Sequence, residues 1–295
     1  MMTPRRFLAA VLLLAAVACE GERRSHSASD EADGSPQRIV SLIPSATATI
    51  VALGAGDRLV ARSDYDLDPA LAHLPSIGQG LTPSLEQLTL LAPDLVIAWP
   101  DNPSRSVISR LGELGVEIYA PEAQTLADVR HTTVELGRRL GRAAAADSLI
   151  ASIDAQLADV VAAVAGRDRP AVFYVVWYQP PTTTGSGTYI SELIEIAGGR
   201  NSFADAPGHW PQVSLEEVVR RQPDIIVFAT TTEDIPLLEQ LGKSSGWREL
   251  AAVREGRVVQ VDADLFNRPG PGVAEAARRL ARVLHPEVFP DQAKR

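Results

Sequence analysis

A long amphipathic stretch occupies the middle of the chain. Residues 143–165 lie between Gly141 and Gly166 and contain neither glycine nor proline. Their apolar positions recur at steps of three and four, which places the side chains on one face of an α-helix. These positions are Leu149, Ile153, Leu157, Val160 and Val164. At 1.5 Å per residue, the predicted helix is about 34 Å long, roughly the width of a small domain.

Two segments on either side of this helix repeat one pattern. Residues 84–98 read SLEQLTLLAPDLVIA and residues 214–229 read SLEEVVRRQPDIIVFA, with Ser, Leu, Glu, Pro and Asp at the same offsets. Each copy predicts a serine N-cap, a glutamate in the first helical turn, and a Pro-Asp turn into an apolar strand. Repetition at fixed offsets indicates internal duplication. We therefore predict one α/β lobe before the helix and one after it.

Short apolar strands alternate with short helices through both halves of the chain. This alternation predicts parallel sheets covered by helices, with ligands bound beyond the carboxyl ends of the strands. The predicted fold class is α/β, with two parallel-sheet lobes bridged by a single long helix. We assign residues 38–142 to the N-terminal lobe, 143–165 to the bridging helix and 166–290 to the C-terminal lobe.

The beginning of the chain reads as a targeting segment. Two arginines precede the apolar run Phe7–Val17, which is too short to span a membrane and ends in the small residues AVAC. We predict a lipoprotein signal peptide over 1–18 and acylation of Cys19, although Ala16 stands where such signals usually carry leucine. The alternative is an ordinary signal peptide followed by an incidental cysteine. Residues 19–37 are rich in Ser, Glu, Arg and Asp and predict a disordered tether.

Charge and motif content narrow the function. The chain has 28 basic and 37 acidic side chains, a formal net charge of −9, which argues against nucleic acid as a partner. We find no GxSxG, HExxH or phosphate-binding glycine loop, so we predict a protein that is not an enzyme. Cys19 is the one cysteine, and the five histidines are scattered without metal-ligand spacing, so we expect no metal site. The histidines are His26, His73, His131, His209 and His285.

Aromatic residues mark the predicted ligand edge, although they make up only 5% of the chain. Rings from both lobes are suited to holding a large flat ligand together with a few polar groups. The alternative for each ring is packing between a loop and its sheet. The candidates at strand ends or in loops are Tyr65, Trp99, Trp177, Tyr178, Trp210 and Phe266. Trp247 begins a helix away from this edge and is predicted to lie in the core.

Five segments together resemble substrate-binding lipoproteins of ABC importers, in the class whose two lobes are joined by one rigid helix. That class carries cobalamin, haem or ferric siderophores, and the WPQVS and RPGP sequences most resemble its cobalamin binders. The segments are RIVSLIPSAT (38–47), PSLEQLTLLAPDLVIAW (83–99), TTGSGTYISELIEIAGG (183–199), FADAPGHWPQVSLEEVV (203–219) and DADLFNRPGPGV (262–273).

The resemblance implies a function and a set of partners. We expect extracytoplasmic capture of cobalamin or a related corrinoid, and its delivery to an ABC permease dimer with its ATPase. We also expect a monomer without a cofactor, held at the membrane only through lipid on Cys19. Haem or a ferric siderophore is the alternative ligand, since His209 or a loop tyrosine could ligate haem iron. A secreted corrinoid-modifying enzyme is a more remote alternative.

The resemblance also assigns roles to individual residues. Tyr65, Trp99, Trp210 and the loop of Phe266 match positions that contact the corrin ring in cobalamin binders. Glu86 and Glu216 match glutamates, one on each lobe, that dock onto permease arginines. Without the resemblance, each glutamate is simply a first-turn acid that complements its helix dipole. Glu217 is adjacent to Glu216 and is an alternative contact.

Overall fold

The computed structural model describes residues 34–100, 105–230 and 237–289. Its strands fall into two parallel sheets of four, one in each half of the chain. The strands are β1 (Ile39–Ser41), β2 (Leu59–Ala61), β3 (Leu95–Ile97), β4 (Glu117–Tyr119), β5 (Ala171–Val175), β6 (Arg200–Asn201), β7 (Ile225–Thr230) and β8 (Val258–Asp262).

The α-helices in the described ranges cover both faces of these sheets. They are α1 (Pro44–Ala52), α2 (Leu85–Leu91), α3 (Arg105–Glu113), α4 (Leu126–Arg139), α5 (Ala143–Val164), α6 (Tyr189–Ile196), α7 (Leu215–Arg221), α8 (Leu237–Lys243), α9 (Ala251–Arg254), α10 (Ala263–Phe266) and α11 (Val273–Leu284).

The two sheets have the same topology. The strand order is β2-β1-β3-β4 in the N-terminal lobe and β6-β5-β7-β8 in the C-terminal lobe. The central strands β1, β3 and β5 are buried along their whole length, as expected where helices cover both faces of a parallel sheet. The predicted fold of two parallel-sheet lobes bridged by one long helix is confirmed.

The duplicated segments form the same structure in both lobes. The Ser84 hydroxyl accepts the N–H of Gln87 at 3.3 Å, and the Ser214 hydroxyl accepts the N–H of Glu217 at 3.1 Å. Both serines are therefore N-caps, as predicted, and satisfy a backbone donor that the first helical turn leaves open. Both helices also end alike, in a left-handed residue with φ of 44° immediately before the proline.

The aspartates of the duplicated segments fasten each sheet. The Asp94 carboxylate accepts the backbone N–H of Arg38 at 3.0 Å, and the Asp224 carboxylate accepts that of Ala171 at 2.7 Å. Arg38 precedes β1, and Ala171 begins β5. Each Pro-Asp turn thus ties the start of its own strand to the neighbouring central strand through the aspartate.

The bridging helix α5 joins the two cores through one apolar face. Its buried residues include Ala146, at the N-terminal-lobe end, and Val160 and Val164, at the C-terminal-lobe end. Leu149 packs against the cores of both lobes. The spacing that predicted the helix is therefore the spacing that connects the lobes, and both α4 and α11 pack against α5.

Contacts with the N-terminal lobe begin before residue 38, where the predicted tether ends and the predicted lobe begins. Pro36 is buried, and the Arg58 guanidinium donates to the Ser35 hydroxyl at 3.1 Å and to the Pro36 carbonyl at 3.2 Å. Residues 35–37 therefore pack against the N-terminal lobe. The predicted signal peptide and the Cys19 acylation site lie outside the described residues. Among the helices of the described ranges, none combines the length and the apolar character needed to cross a bilayer.

Candidate ligand-binding site

A cleft between the lobes opens at the carboxyl ends of the strands. The strand order reverses between β1 and β3 in one sheet and between β5 and β7 in the other, and such reversals leave crevices that bind ligands. Two adjoining cavities of about 390 and 330 Å³ lie here, with walls from both lobes. They share the lining residues Leu81, Trp99, Asn267 and Pro269.

The N-terminal-lobe wall carries two aromatic rings. Trp99 is half-buried just beyond the end of β3 and lines both cavities, while Tyr65 is 44% exposed at the mouth. The loop that carries Gln79 and Leu81 lies directly on the end of β1. A Cβ atom on Gly80 would lie 2.7 Å from the Leu42 carbonyl oxygen, so this close approach requires glycine. Gln79 and Leu81 are thereby held in the cleft.

The C-terminal-lobe wall is built around Trp210. Its ring is half-buried and packs edge-on against Tyr189, with centroids 6.2 Å apart. The loop that carries it is anchored on both sides of the ring, since the Thr183 N–H donates to the Pro211 carbonyl at 3.0 Å and the Gly185 N–H donates to the His209 carbonyl at 2.8 Å. The ring is therefore presented on a fixed loop, which lowers the entropic cost of ordering it around a ligand.

An asparagine stands at the centre of the cleft. Asn267 is exposed and lines both cavities, and its Oδ1 accepts a hydrogen bond from the hydroxyl of buried Tyr174 at 2.9 Å. Burial raises the pKa of Tyr174 well above its usual range, so the hydroxyl remains a donor. Because Oδ1 is engaged, the amide N–H groups of Asn267 remain available for a ligand.

Charges in the cleft are few and partly compensated. Arg268 forms an ion pair with Asp264 in the wall, and Glu122 lies at the edge. Among the described lining residues there is no histidine, cysteine or methionine, and no cation without a carboxylate partner. The remaining polar groups are neutral: Ser45, Gln79, Gln124, Tyr65 and Asn267. This arrangement suits apolar ring contact with neutral hydrogen bonding around the rim.

Two other pockets lie away from the strand carboxyl ends. A pocket of about 300 Å³ between α4 and α5 has aliphatic walls and an Arg130–Asp154 ion pair at 2.5 Å. A pocket of about 930 Å³ lies at the amino ends of β5, β7 and β8. Neither has an aromatic wall, so we do not assign the ligand to them.

Three of the six predicted aromatic residues meet in the cleft: Tyr65, Trp99 and Trp210. Trp177 and Tyr178 line an adjoining cavity of about 600 Å³ that shares Asn267 with the cleft. Trp177 is 66% exposed, whereas the Tyr178 ring packs inward against Trp247 at 5.7 Å. Trp247 is itself only 4% exposed, which confirms its predicted place in the core.

The prediction that Phe266 contacts ligand is wrong. Its side chain is 1% exposed and packs in the C-terminal core, 6.5 Å from the ring of Tyr174. Phe266 ends the short helix α10, and that turn directs it inward while Asn267 and Arg268 reach the cleft. The loop thus lines the cleft through Asn267 and Arg268 and not through Phe266.

Three residues that the sequence pattern does not single out also line the cleft: Tyr189, Gln124 and Asn267. Gln124 lies between β4 and α4, and Asn267 follows β8 and α10, so both stand near strand carboxyl ends. The rule that located Trp99 therefore applies to them too, but polar residues in loops carry no distinguishing signal. Tyr189 begins α6, and a tyrosine at a helix start does not by itself indicate a ligand site.

The two predicted docking glutamates are exposed at the starts of α2 and α7. Within the described ranges, the carboxylates of Glu86 and Glu216 have no hydrogen-bonding or ion-pair partner. Glu217, the alternative contact, bonds to Arg220 and Arg221, whose guanidinium groups lower its pKa to about 2. Glu217 is thus engaged within its own helix, whereas Glu216 is not.

Two buried tyrosines predict a loss of stability at alkaline pH. Burial raises the pKa of Tyr189 as well as that of Tyr174, so the folded protein holds these protons more tightly than the unfolded chain does. Their contribution to the free energy of unfolding is complete below pH 10 and falls as pH rises further. Tyr189→Phe should reduce the slope above pH 10 by up to about 1.4 kcal/mol per pH unit. Urea unfolding between pH 8 and 12 measures this, and equal slopes for both proteins would contradict it.

Known protein families and known proteins include relatives of this chain. A model of the family described as periplasmic binding protein matches residues 39–265. The chain belongs to the periplasmic binding protein family. It is 32% identical over 254 residues to the vitamin B12-binding protein of Vibrio cholerae serotype O1, covering 84% of this chain and 89% of that one.

Two further relatives broaden the comparison. An uncharacterised ABC transporter substrate-binding lipoprotein of Bacillus subtilis strain 168 is 32% identical over 262 residues, covering 86% of this chain and 82% of that one. A periplasmic haem-binding protein from Pseudomonas aeruginosa has a similar structure, with a TM-score of 0.76 and 26% identity, covering 85% of this chain and 93% of that one. These relatives are named as binding proteins and not as enzymes.

Proposed function

We propose that this protein captures cobalamin or a related corrinoid outside the cytoplasm and delivers it to an ABC permease. The observation that carries the proposal is the cleft itself, whose aromatic walls come from both lobes and whose described polar groups are mainly neutral. The vitamin B12-binding relative supports the ligand, and the ABC transporter lipoprotein supports the partner and the membrane anchor.

The chemistry of a corrinoid matches the cleft. The corrin of cobalamin is a large flat macrocycle with an apolar body and neutral amide side chains around its rim. Trp99 and Trp210 offer rings from opposite lobes, and the amides of Gln79 and Asn267 offer neutral hydrogen-bonding partners. Hydrogen bonds to these amides fix orientation, while the rings supply most of the contact area.

Haem is the second candidate, and Tyr65 is the observation that favours it. An exposed tyrosine can ligate haem iron, and the haem-binding structure from Pseudomonas aeruginosa shares this fold. Haem, however, carries two propionates that need cationic partners, and Arg268 is already paired with Asp264. The balance of charge in the described lining therefore favours the amide-rimmed ligand.

A titration of the tether-free protein separates these candidates. We expect cobalamin to change the tryptophan fluorescence saturably with one ligand per protein, because Trp99 and Trp210 line the cleft. Haemin and a ferric hydroxamate siderophore, added under the same conditions, should give weak and unsaturated changes. Saturable binding of haemin with none of cobalamin would transfer the assignment to the second candidate.

The docking surface in this proposal consists of Glu86 and Glu216. They occupy equivalent places in the duplicated segments, so each lobe presents one exposed carboxylate. A permease dimer with two-fold symmetry has two equivalent sites to receive them. Both glutamates begin helices whose serine caps lie outside the cleft lining, so docking and ligand binding use separate surfaces.

The membrane anchor predicts a localisation phenotype. We propose that Cys19 is acylated and becomes the first residue of the mature chain. Because each buried methylene contributes about 0.8 kcal/mol to membrane binding, loss of the acyl chains should release the protein. Cys19→Ser should therefore move it from the membrane fraction to the soluble fraction and abolish incorporation of labelled palmitate. A Cys19→Ser protein that stays in the membrane fraction with unchanged mobility would contradict this.

A further inference from the structure

A short segment of the N-terminal lobe is bonded to the C-terminal lobe at the floor of the cleft. The carbonyl of Gln124 accepts the backbone N–H of Tyr189 at 2.6 Å, and its side-chain Oε1 accepts the indole N–H of Trp210 at 3.2 Å. The Glu192 carboxylate accepts the backbone N–H of Leu126 at 2.7 Å. We call these five residues the clasp.

The clasp forms where two helix N-termini from opposite lobes meet. Thr125 caps α4, and Asp128 in its first turn accepts the N–H groups of both Gln124 and Thr125. The N–H of Leu126, at the first position of the helix, is left open, and Glu192 accepts it. A carboxylate in this position also complements the positive end of the helix dipole.

The opposite helix repeats the arrangement. Thr188 caps α6 by accepting the N–H of Ser191 at 3.1 Å, which leaves the N–H of Tyr189 open. The Gln124 carbonyl accepts that N–H. Each helix therefore has one open donor satisfied by a group from the other lobe, and separating the lobes would leave both donors to water alone.

A second interlobe contact lies on another side of the cleft. A Cβ atom on Gly270, in the loop before α11, would lie 3.2 Å from the carbonyl oxygen of Ser45, at the start of α1. Gly270 and Ser45 are both buried. Together with α5, the clasp and this contact join the lobes at three separate places, which defines the angle between them.

We propose that Gln124 is a positioning residue that holds the empty cleft at its binding width and orients Trp210 within it. This inference rests on the proposed function, because it takes the cleft to be the ligand site. Gln124 connects the two effects, since its carbonyl is part of the lobe junction and its side chain holds the indole. A cleft already formed before binding loses less affinity to conformational change.

Four variants test this role. Gln124→Ala removes the acceptor for Trp210, Glu192→Ala removes the cap on Leu126, and the double variant removes both. Gln124→Glu keeps an acceptor oxygen for the indole N–H, so it should restore the radius of gyration where Gln124→Ala changes it. Gln87→Ala is the matched control, because it loses a glutamine hydrogen bond, to the Ser76 carbonyl at 2.8 Å, within a single lobe.

Small-angle scattering of the unliganded proteins and stopped-flow binding of cobalamin provide the readouts. We expect the double variant to have a larger radius of gyration and about tenfold weaker binding of cobalamin. The loss should come mainly from slower association, because a smaller fraction of the molecules has the cleft at its binding width. Gln87→Ala should resemble wild type in both, and Gln124→Glu should resemble wild type in radius of gyration.

The outcomes separate this inference from the proposed function. If wild type binds cobalamin and the folded double variant matches it in radius of gyration and association rate, the clasp has no positioning role. If wild type does not bind cobalamin, the proposed function fails, and the scattering data still decide whether the clasp sets the angle between lobes. Failure of Gln124→Glu to rescue Gln124→Ala would overturn the role of the Gln124 acceptor.

Discussion

Trp99→Ala and Trp210→Ala should each weaken cobalamin binding about thirtyfold, which corresponds to a loss on the order of 2 kcal/mol. The two rings belong to opposite lobes and line one shared cavity. Each substitution therefore removes a large contact from one side of the ligand. Calorimetry or fluorescence titration of the purified variants measures the change. Thermal unfolding shows whether each variant remains folded.

Two further variants make this prediction sharper. Trp210→Phe keeps a ring but loses the indole N–H that Gln124 accepts, so its affinity should fall between those of wild type and Trp210→Ala. Trp177→Ala alters only the adjoining cavity, and a large effect there would mean that the ligand extends into it. Wild-type affinity in both folded alanine variants, Trp99→Ala and Trp210→Ala, would move the ligand site out of the cleft.

The double variant Glu86→Ala/Glu216→Ala should retain ligand affinity and melting temperature but lose transport. Both carboxylates are exposed and without a described partner, and exposed substitutions usually change stability by about 0.5 kcal/mol or less. A contact between these carboxylates and permease arginines would be steered by charge and weakened by salt. Stimulation of the permease ATPase in vesicles, and uptake into them, should both fall to background.

The matched control removes two negative charges from elsewhere on the surface. Asp147 and Asp159 are exposed on α5 and, like the glutamates, have no partner among the described residues. Asp147→Ala/Asp159→Ala should transport normally, whereas single replacement of either glutamate should cause partial loss. Full transport by Glu86→Ala/Glu216→Ala would return both glutamates to the role of helix-dipole acids. Loss of ligand binding in that variant would mean that the cleft is misplaced.

Much of the architecture could be read from the sequence because it depends on local patterns. The bridging helix follows from apolar spacing that α5 uses to contact both cores, and the two lobes follow from a duplicated segment. The capping serines are local as well, since each bonds within its own first turn. Such features need only neighbouring residues, so a single sequence carries them.

The errors and omissions concern contacts that local patterns do not define. Phe266 lies in a helix of four residues, too short for its spacing to show which side faces the core. Gln124 meets Tyr189 and Trp210 only because two lobes come together, across separations of 65 and 86 residues. Arg58 holds Pro36 against the N-terminal lobe. Composition alone does not show whether such a residue belongs to the lobe or to a tether.

The most direct test of the proposed ligand compares two corrins that differ in rim charge. Cobinamide carries neutral amides where cobyrinic acid carries carboxylates, both lack the nucleotide loop of cobalamin, and the described cleft lining offers no unpaired cation. Calorimetric titration should give saturable binding of one cobalamin per protein, and cobyrinic acid should bind at least about tenfold more weakly than cobinamide, the equivalent of roughly 1.4 kcal/mol. Equal binding of both corrins would contradict recognition through neutral amides, and the absence of cobalamin binding would contradict the assignment of the cleft to a corrinoid.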